Sequence, residues 1–225
     1  MNRNLYKLFR IACADLLVLQ DMEYNGIQYD KENGLKYANE LQTKIDAITR
    51  EFRALVNDDF VSISSGKHVS AVLYGGNIIE NVRVPVGYYK SGAKVGQVRY
   101  SIQKVKHSFP QLVAPPAKSE TVNSRKRDNE DKEYSVSEDT ISQLKHKKGV
   151  AKIISCVLEY RRLEKLRGTY LQGWADLLDE QGWKDNVIHG NLNQAVAVTG
   201  RLTSTSPNLQ NVDPETKRYL VSRYA

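Results

Sequence analysis

The side chains of this sequence best suited to recognition chemistry crowd into one run, Thr199-Gly200-Arg201-Leu202-Thr203-Ser204-Thr205-Ser206-Pro207-Asn208-Leu209-Gln210-Asn211. It holds a single charge, Arg201, whose guanidinium is a rigid fork of donors. Asn208, Gln210 and Asn211 each carry donors and acceptors, and Thr199 adds a hydroxyl. That set suits the minor-groove edges and sugar-phosphate oxygens of a duplex. The plainer reading is a set of turn residues satisfying their own backbone. Gly200 and Pro207 punctuate the run, so irregular backbone is expected rather than helix. A second cluster, Arg161, Lys165, Arg167 and Thr169, lies in a helical stretch; taken alone, it reads as a solvated basic face.

These residues need elements to hold them. Leu5, Leu8, Phe9, Ala12, Leu16 and Leu19 recur at steps of three and four, which predicts a helix over 5–22 with one buried face. Asn25-Gly26 breaks it, and Asp30 is placed to cap the next helix. That helix is expected over 31–55, with Ala38, Leu41, Ile45, Ile48, Phe52 and Leu55 forming a narrow apolar seam. At 1.5 Å per residue it would be about 37 Å long, and it needs a long partner. The stretch 149–178 offers Val150, Ile153, Ile154, Val157, Leu158, Leu163 and Leu166. Gly168 and Gly173 predict a bend or stop in its second half. The expected fold is mainly α (α+β), built on a long antiparallel helix pair.

Between the two helices the composition changes. A short helix is expected over 68–74, capped by Ser64 or Ser65. From 81 to 119 there are seven basic residues, Arg83, Lys90, Lys94, Arg99, Lys104, Lys106 and Lys118, and no acidic one. Tyr88, Tyr89, Tyr100 and Phe109 are interleaved with them. Short strands are expected at 82–84 and 97–105. Residues 118–133 are highly charged and poor in apolar side chains, so they are expected to be mobile. Ser137 is placed to cap a helix through Leu144. A few strands are expected over 187–199.

The bulk composition is compatible with nucleic acid and is not specific for it. The chain has 225 residues, with 33 Lys plus Arg against 26 Asp plus Glu, a net charge of +7. The isoelectric point is about 9.2 and the mean hydropathy −0.52. This favours a polyanionic partner modestly. Cys13 and Cys156 lie far apart in apolar helical contexts and read as buried free thiols of a reducing compartment. Asp15 interrupts 11–19, which is neither secretion signal nor membrane span. The default is a cytoplasmic protein without a membrane partner.

The run 199–211 resembles the T-G-R-L-S-S-x-x-P-N-L-Q-N signature of family A DNA polymerases, the DNA polymerase I-like enzymes. Five further segments resemble that family in its order. Met22–Asp30 is similar to M-E-x-N-G-I-x-x-D, and Phe60–Gly66 with Val72-Leu73-Tyr74 to N-x-x-S-x-x-Q-L-x-x-I-L-F. Tyr134–Leu144 is similar to Y-S-T-x-E-x-x-L, and Leu158–Tyr170 to L-E-Y-R-x-L-x-K-L-K-S-T-Y. His189 with Gln194 matches an H-x-x-x-x-Q strand. The resemblance implies a palm-side helix and turn at 1–30, a thumb at 31–180 with a basic insertion at 81–133, and the start of the palm at 181–225. It implies that Arg161, Lys165, Arg167 and Thr169 grip primer-template duplex. It places Gln194, Thr199, Arg201, Asn208, Gln210 and Asn211 along the same DNA near its growing end. His189 reads as structural rather than as a general base. Val212-Asp213-Pro214-Glu215 departs from the I-P-x-R of many relatives, which leaves open whether Lys217 or Arg218 replaces the missing arginine.

The resemblance also implies nucleotidyl transfer in DNA replication by two magnesium ions held on carboxylates. The motifs that carry those acids, D-x-S-x-x-E-x-R and H-D-E, do not occur in the sequence, nor does the fingers motif K-x-x-x-x-x-x-Y-G. The expectation is therefore no catalytic residue, no metal ligand and no cofactor in this chain, which alone does not incorporate nucleotides. The rest of palm and fingers would come from a second chain, in a split, phage-type polymerase; a truncated frame or a cloned fragment are the alternatives. A stand-alone, non-catalytic duplex-binding module is the rival reading. The insertion at 81–133 is open to three readings: a nucleic-acid-tracking surface, a dock for a processivity factor, or a solvated decoration.

Overall fold

The computed structural model describes residues 3–115, 134–144, 150–194 and 196–223. The stretch 118–133, expected to be mobile, lies outside the described residues, Lys118 included. The fold is mixed α+β, with long helices and, among the described residues, three small sheets. Two compact units are formed, one from Met1–Ile45 with Arg162–Ala225, the other from Asp46–Arg161.

The first unit opens with helix α1 (Arg3–Asn25), strand β1 (Ile27–Tyr29) and the start of α2 (Lys31–Val56). Asp30 begins α2 as expected: its carboxylate accepts from the Asn33 amide at 3.2 Å, satisfying one orphan N–H. Gly26 makes the turn between α1 and β1 at φ 61°, where a Cβ would lie 2.6 Å from the Ile188 carbonyl oxygen. No other residue fits there without displacing backbone. β1 is the centre of a three-stranded antiparallel sheet between β4 (Val187–Ile188) and β7 (Leu220–Val221), with Ile27 opposite Ile188 and Tyr29 opposite Leu220.

The chain re-enters this unit at the end of α5 (Ala151–Glu164). It continues as a π-helical segment, Lys165–Leu171, and then as α6 (Gln172–Gln181). The bend or stop expected from Gly168 and Gly173 is instead this wider turn. A Cβ on Gly173 would lie 2.7 Å from the Gly168 carbonyl oxygen, so the second glycine admits a bulge that any side chain would obstruct. Tyr29, Tyr170, Leu171, Trp174, Leu178, Val187 and Ile188 are buried here. The Tyr29 hydroxyl donates to the Leu171 carbonyl at 2.9 Å, and its ring meets Trp174 edge-on at 5.5 Å. Gly34 is required by this packing, because a Cβ would fall 2.0 Å from the Tyr29 hydroxyl oxygen.

The apolar face expected to be buried on α1 is not covered. Leu5, Leu8, Phe9 and Leu16 are 60%, 63%, 63% and 53% exposed, and only Leu19 of that set is buried. Cys13 is exposed for the same reason, while Cys156 is buried. Periodicity fixes which side of a helix is apolar, and a covering element must come from elsewhere.

The second unit packs Phe52 of α2 with Val61, Ile63, Val69, Val72, Leu73, Ile78, Val113, Ile141, Ile154 and Val157. The seam of α2 behaves as its spacing implies, except Leu55, which is 38% exposed at the helix end. Helix α3 (Gly66–Tyr74) is capped by Ser65, whose hydroxyl accepts from the His68 amide. Helix α4 (Glu138–Ser142) stops short of Leu144, and Ser137 makes no side-chain bond to its N-terminal amides. The Ser137 hydroxyl pairs with Thr140 at 2.8 Å instead. The expected short strands form one long antiparallel hairpin, β2 (Gly76–Tyr88) against β3 (Val98–Phe109), in register from Gly76 opposite Phe109 to Tyr88 opposite Val98 with a bulge at Val86.

Candidate nucleic-acid interface

The run 199–211 belongs to the first unit. Its backbone is less irregular than its composition implies, because β6 (Thr203–Thr205) pairs antiparallel with β5 (Asn191–Asn193). The Asn193 amide nitrogen donates to the Thr205 hydroxyl at 3.2 Å. Thr and Asn suit this narrow ribbon because each satisfies a cross-strand neighbour. Beyond β6 the chain turns sharply, with Ser206 at φ 54°.

Two polar side chains hold that turn. Ser204 is 3% exposed. Its hydroxyl donates to the Pro207 carbonyl at 3.2 Å and accepts from the Leu209 amide at 3.2 Å. The Asn208 carboxamide oxygen accepts from the Gln210 and Asn211 amides at 3.0 and 3.3 Å. This is the local side-chain-to-backbone closure that Asn favours. From outside the run, the Tyr170 hydroxyl donates to the Asn211 carbonyl at 2.6 Å.

With the backbone tied in this way, Thr199, Arg201, Asn208, Gln210 and Asn211 are all exposed, and Gln194 is half-buried. Leu202 and Leu209 face inward and line a groove of 530 Å³ with Val18, Met22, Ile27 and Leu192. The run thus turns its two leucines into the groove, with Gln210 at the groove's edge and Thr199, Arg201 and Asn211 in water.

Glu23 anchors the strand that feeds the run. Its carboxylate accepts from the Leu192 amide, and its carbonyl oxygen lies 2.8 Å from His189 Nδ1. A carbonyl can only accept, so Nδ1 carries the proton. The same imidazole meets Trp183 edge-on at 5.2 Å. His189 is therefore a fastening of β4 and β5 to the end of α1.

The basic cluster divides. In the second unit the Arg161 guanidinium is half-buried and donates to the Val136 carbonyl. Burial pushes its pKa down, opposed by Glu138. In the first unit Lys165 and Thr169 are exposed, while Arg167 is half-buried beside Glu164 at 3.5 Å. Lys165 stands at the first position of the π-helical segment.

The departure at 212–215 has a structural counterpart. Asp213 caps α7 (Pro214–Lys217), accepting from the Glu215 amide at 2.8 Å. The Glu215 carboxylate accepts from the Tyr37 hydroxyl at 3.0 Å and from Arg162. The tyrosine's pKa is raised by its burial and by that carboxylate. The Arg218 guanidinium lies 4.6 Å from the Tyr37 ring centre and 4.9 Å from that of Tyr219, a cation–π arrangement. Lys217 is exposed. Both acids that follow the signature are thus occupied, one by a helix end and one by a tyrosine and an arginine. They do not fit a magnesium site, and no group of three or more His, Cys, Asp or Glu among the described residues does.

The family model described as DNA polymerase family A matches residues 108–224. The chain belongs to DNA polymerase family A. Among curated relatives, DNA polymerase I of Bacillus subtilis (strain 168) is 26% identical over 196 residues, covering 87% of this chain and 16% of that protein. DNA polymerase I of Synechocystis is 42% identical over 79 residues, 35% of this chain and 7% of that protein. The POL domain of Pol1 from M. smegmatis, solved in complex with DNA primer-template and dNTP, superposes with a TM-score of 0.58 at 22% identity, over 90% of this chain and 27% of that one. That likeness establishes a shared fold. The chain therefore spans about a sixth of the length of the full polymerases it matches.

Sequence reasoning singled out the exposed groups of this family A run, and its plainer reading holds for the Asn208 oxygen, which its own backbone engages; it missed the other residues that fix the run. Tyr170, Ser204 and Glu23 carry that work. Tyr170 and Glu23 do lie within segments that resemble the family, but their partners stand 41 and 169 residues away.

Proposed function

We propose that this chain is the thumb and palm-entry portion of a family A DNA-directed DNA polymerase, and that it grips primer-template duplex during DNA replication. In this reading the thumb is 31–180, the palm begins at 181, and Arg201, Asn208, Gln210 and Asn211 lie along the minor groove with Thr199 and Gln194 beside them. Lys165, Arg167 and Thr169 meet backbone phosphates, and Lys217 serves as the cation that the departure at 212–215 otherwise removes. Arg161 contributes by holding 134–138 in place. The observation that carries the reading is the exposure of the run's recognition groups on a backbone tied down by Ser204, Asn208 and Tyr170. Minor-groove acceptors are alike for A·T and G·C pairs, so such contacts report correct pairing geometry without reading sequence.

Nucleotidyl transfer requires magnesium-holding carboxylates contributed from outside this sequence, by the rest of palm and fingers, joined to it or carried by a second chain. Magnesium there would clamp the attacking and leaving oxygens. The residues described above bind and orient the duplex. Titrating the chain with a labelled primer-template hairpin oligonucleotide at low salt tests the reading. Saturable binding is expected; no association, with or without a palm-and-fingers chain, overturns it.

A further inference from the structure

The β2–β3 hairpin has two unlike faces, and the difference follows from its register. Directly opposed residues in an antiparallel pair project to the same side, and successive residues alternate. One face carries Ile78 with His107, Glu80 with Val105, Val82 with Gln103 and Val84 with Ser101. It includes an acid, and its root is fixed to the body of the second unit. There His107 bridges Asp58 at 2.6 Å and Glu80 at 3.1 Å and stacks on Phe60 at 4.9 Å.

The other face carries Ile79 with Lys106, Asn81 with Lys104, Arg83 with Ile102, Pro85 with Tyr100 and, beyond the bulge, Tyr88 with Val98. It has three cations and no acid. Arg83, Lys104 and Lys106 are exposed, and none of them joins an ion pair among the described residues. Lys104 and Lys106 are two residues apart on one strand, about 7 Å, and Arg83 lies one row further out on its neighbour. Exposed apolar groups border them, Ile79 at 51% and Ile102 at 64%.

We infer that this face of the hairpin, through Arg83, Lys104 and Lys106, is a second phosphate-contacting surface that docks on the backbone of double-stranded DNA. It rests on the polymerase reading above and adds a surface to it. Three features favour duplex over the alternatives. The charge is one-sided on a paired ribbon anchored at its root, and the register sets the cations in adjacent rows of one face. A two-stranded ribbon has the width of an element that lies along a duplex groove, and its twelve paired rows reach about 40 Å. The rings are confined to the outer rows, at Tyr100 and Tyr88, whereas a groove for single strands interleaves stacking rings with its cations.

Salt-dependent titration of the full chain tests this. Each phosphate contact to duplex contributes about 0.9 to the slope of log K against log salt. The triple variant Arg83→Gln, Lys104→Gln, Lys106→Gln should lower that slope by about 2.7, so that raising salt from about 50 to 200 mM costs it about 40-fold less affinity than the parent. Lys104→Gln alone should remove about 0.9, and serves if the triple variant melts early. A charge-matched control, Lys90→Gln, Lys94→Gln, Arg99→Gln, removes cations from the hairpin loop and the opposite face and should change the slope much less.

An unchanged slope in the triple variant overturns the inference, as does an equal loss in the control or a loss seen only on single-stranded oligonucleotide. Lys165→Ala separates this from the polymerase reading. If Lys165→Ala lowers the duplex slope and the hairpin triple does not, the hairpin assignment alone falls; if the parent chain binds no duplex, both fall.

Discussion

The hydroxyl of Tyr170 donates to the main-chain carbonyl of Asn211 at 2.6 Å, joining the π-helical segment to the last residue of the signature run. Tyr170 is 6% exposed. Its ring also meets Trp174 edge-on at 5.5 Å, so the side chain has little freedom to release the carbonyl. The bond makes the conformation of the run depend on the wider turn that Gly168 and Gly173 allow.

Tyr170→Phe keeps the ring packing and removes only that bond. A lost partner in a part-buried place costs about 1–3 kcal/mol, and the variant's unfolding free energy should fall by that amount. Duplex affinity should fall while its salt slope stays unchanged, because no cation is lost. Chemical denaturation with a duplex titration of the same variant checks both.

Ser204→Ala removes a donor and an acceptor from the turn at Pro207. The Leu209 amide and Pro207 carbonyl lose their partner together, so the expected cost is again about 1–3 kcal/mol. Ser204→Thr should not rescue it, since the hydroxyl sits in a 3% exposed site where an added methyl group has no room. Equilibrium unfolding of the two variants is the measurement.

The root of the hairpin should respond to pH from both sides. His107 is raised by its bond to Asp58, with Glu80 adding to it. A raised histidine contributes stability that is complete below its unfolded value of about 6.5 and lost as pH climbs through the folded value. For Asp58, burial alone would raise the pKa, but the bonds from His107 and the Phe60 amide outweigh it and the net direction is down. Its contribution is complete above about 3.9 and lost as pH falls through the folded value. His68 works against protonation: its own pKa is lowered, chiefly by burial, with Lys67 and His107 adding to that. The protection of β2 and β3 amides near Ile78, relative to the free-peptide exchange rate at each pH, should therefore be greatest between about pH 4 and 6.5, with His68 trimming its acid side. His107→Gln should flatten the alkaline side of that profile; an unaltered profile would contradict the clasp.

Local pattern made much of this fold legible. Asp30 as a cap and the recurrence of Ala38, Leu41, Ile45 and Phe52 determine α2 without long-range information. Asn208 bonding to amides two and three residues on is likewise a local event. What could not be read depends on distant partners. The apolar face of α1 was visible, but burial requires a covering element that the described residues do not supply. The hairpin is longer than the strands expected at 82–84 and 97–105, because pairing of Ile78 with His107 and Gly76 with Phe109 carries it past its own turn signals. Gly168 and Gly173 spell a helix breaker locally, and only the close approach of Gly173 to the Gly168 carbonyl shows why the helix continues.

In the proposed function the chain holds a DNA duplex through exposed cations, Lys165 foremost among them. Duplex affinity should be measured from about 50 to 200 mM salt for the parent chain and Lys165→Ala. A linear log–log plot is expected, with a slope that falls by about 1 in the variant. Identical slopes, or a parent chain that does not bind duplex at any salt, would contradict it.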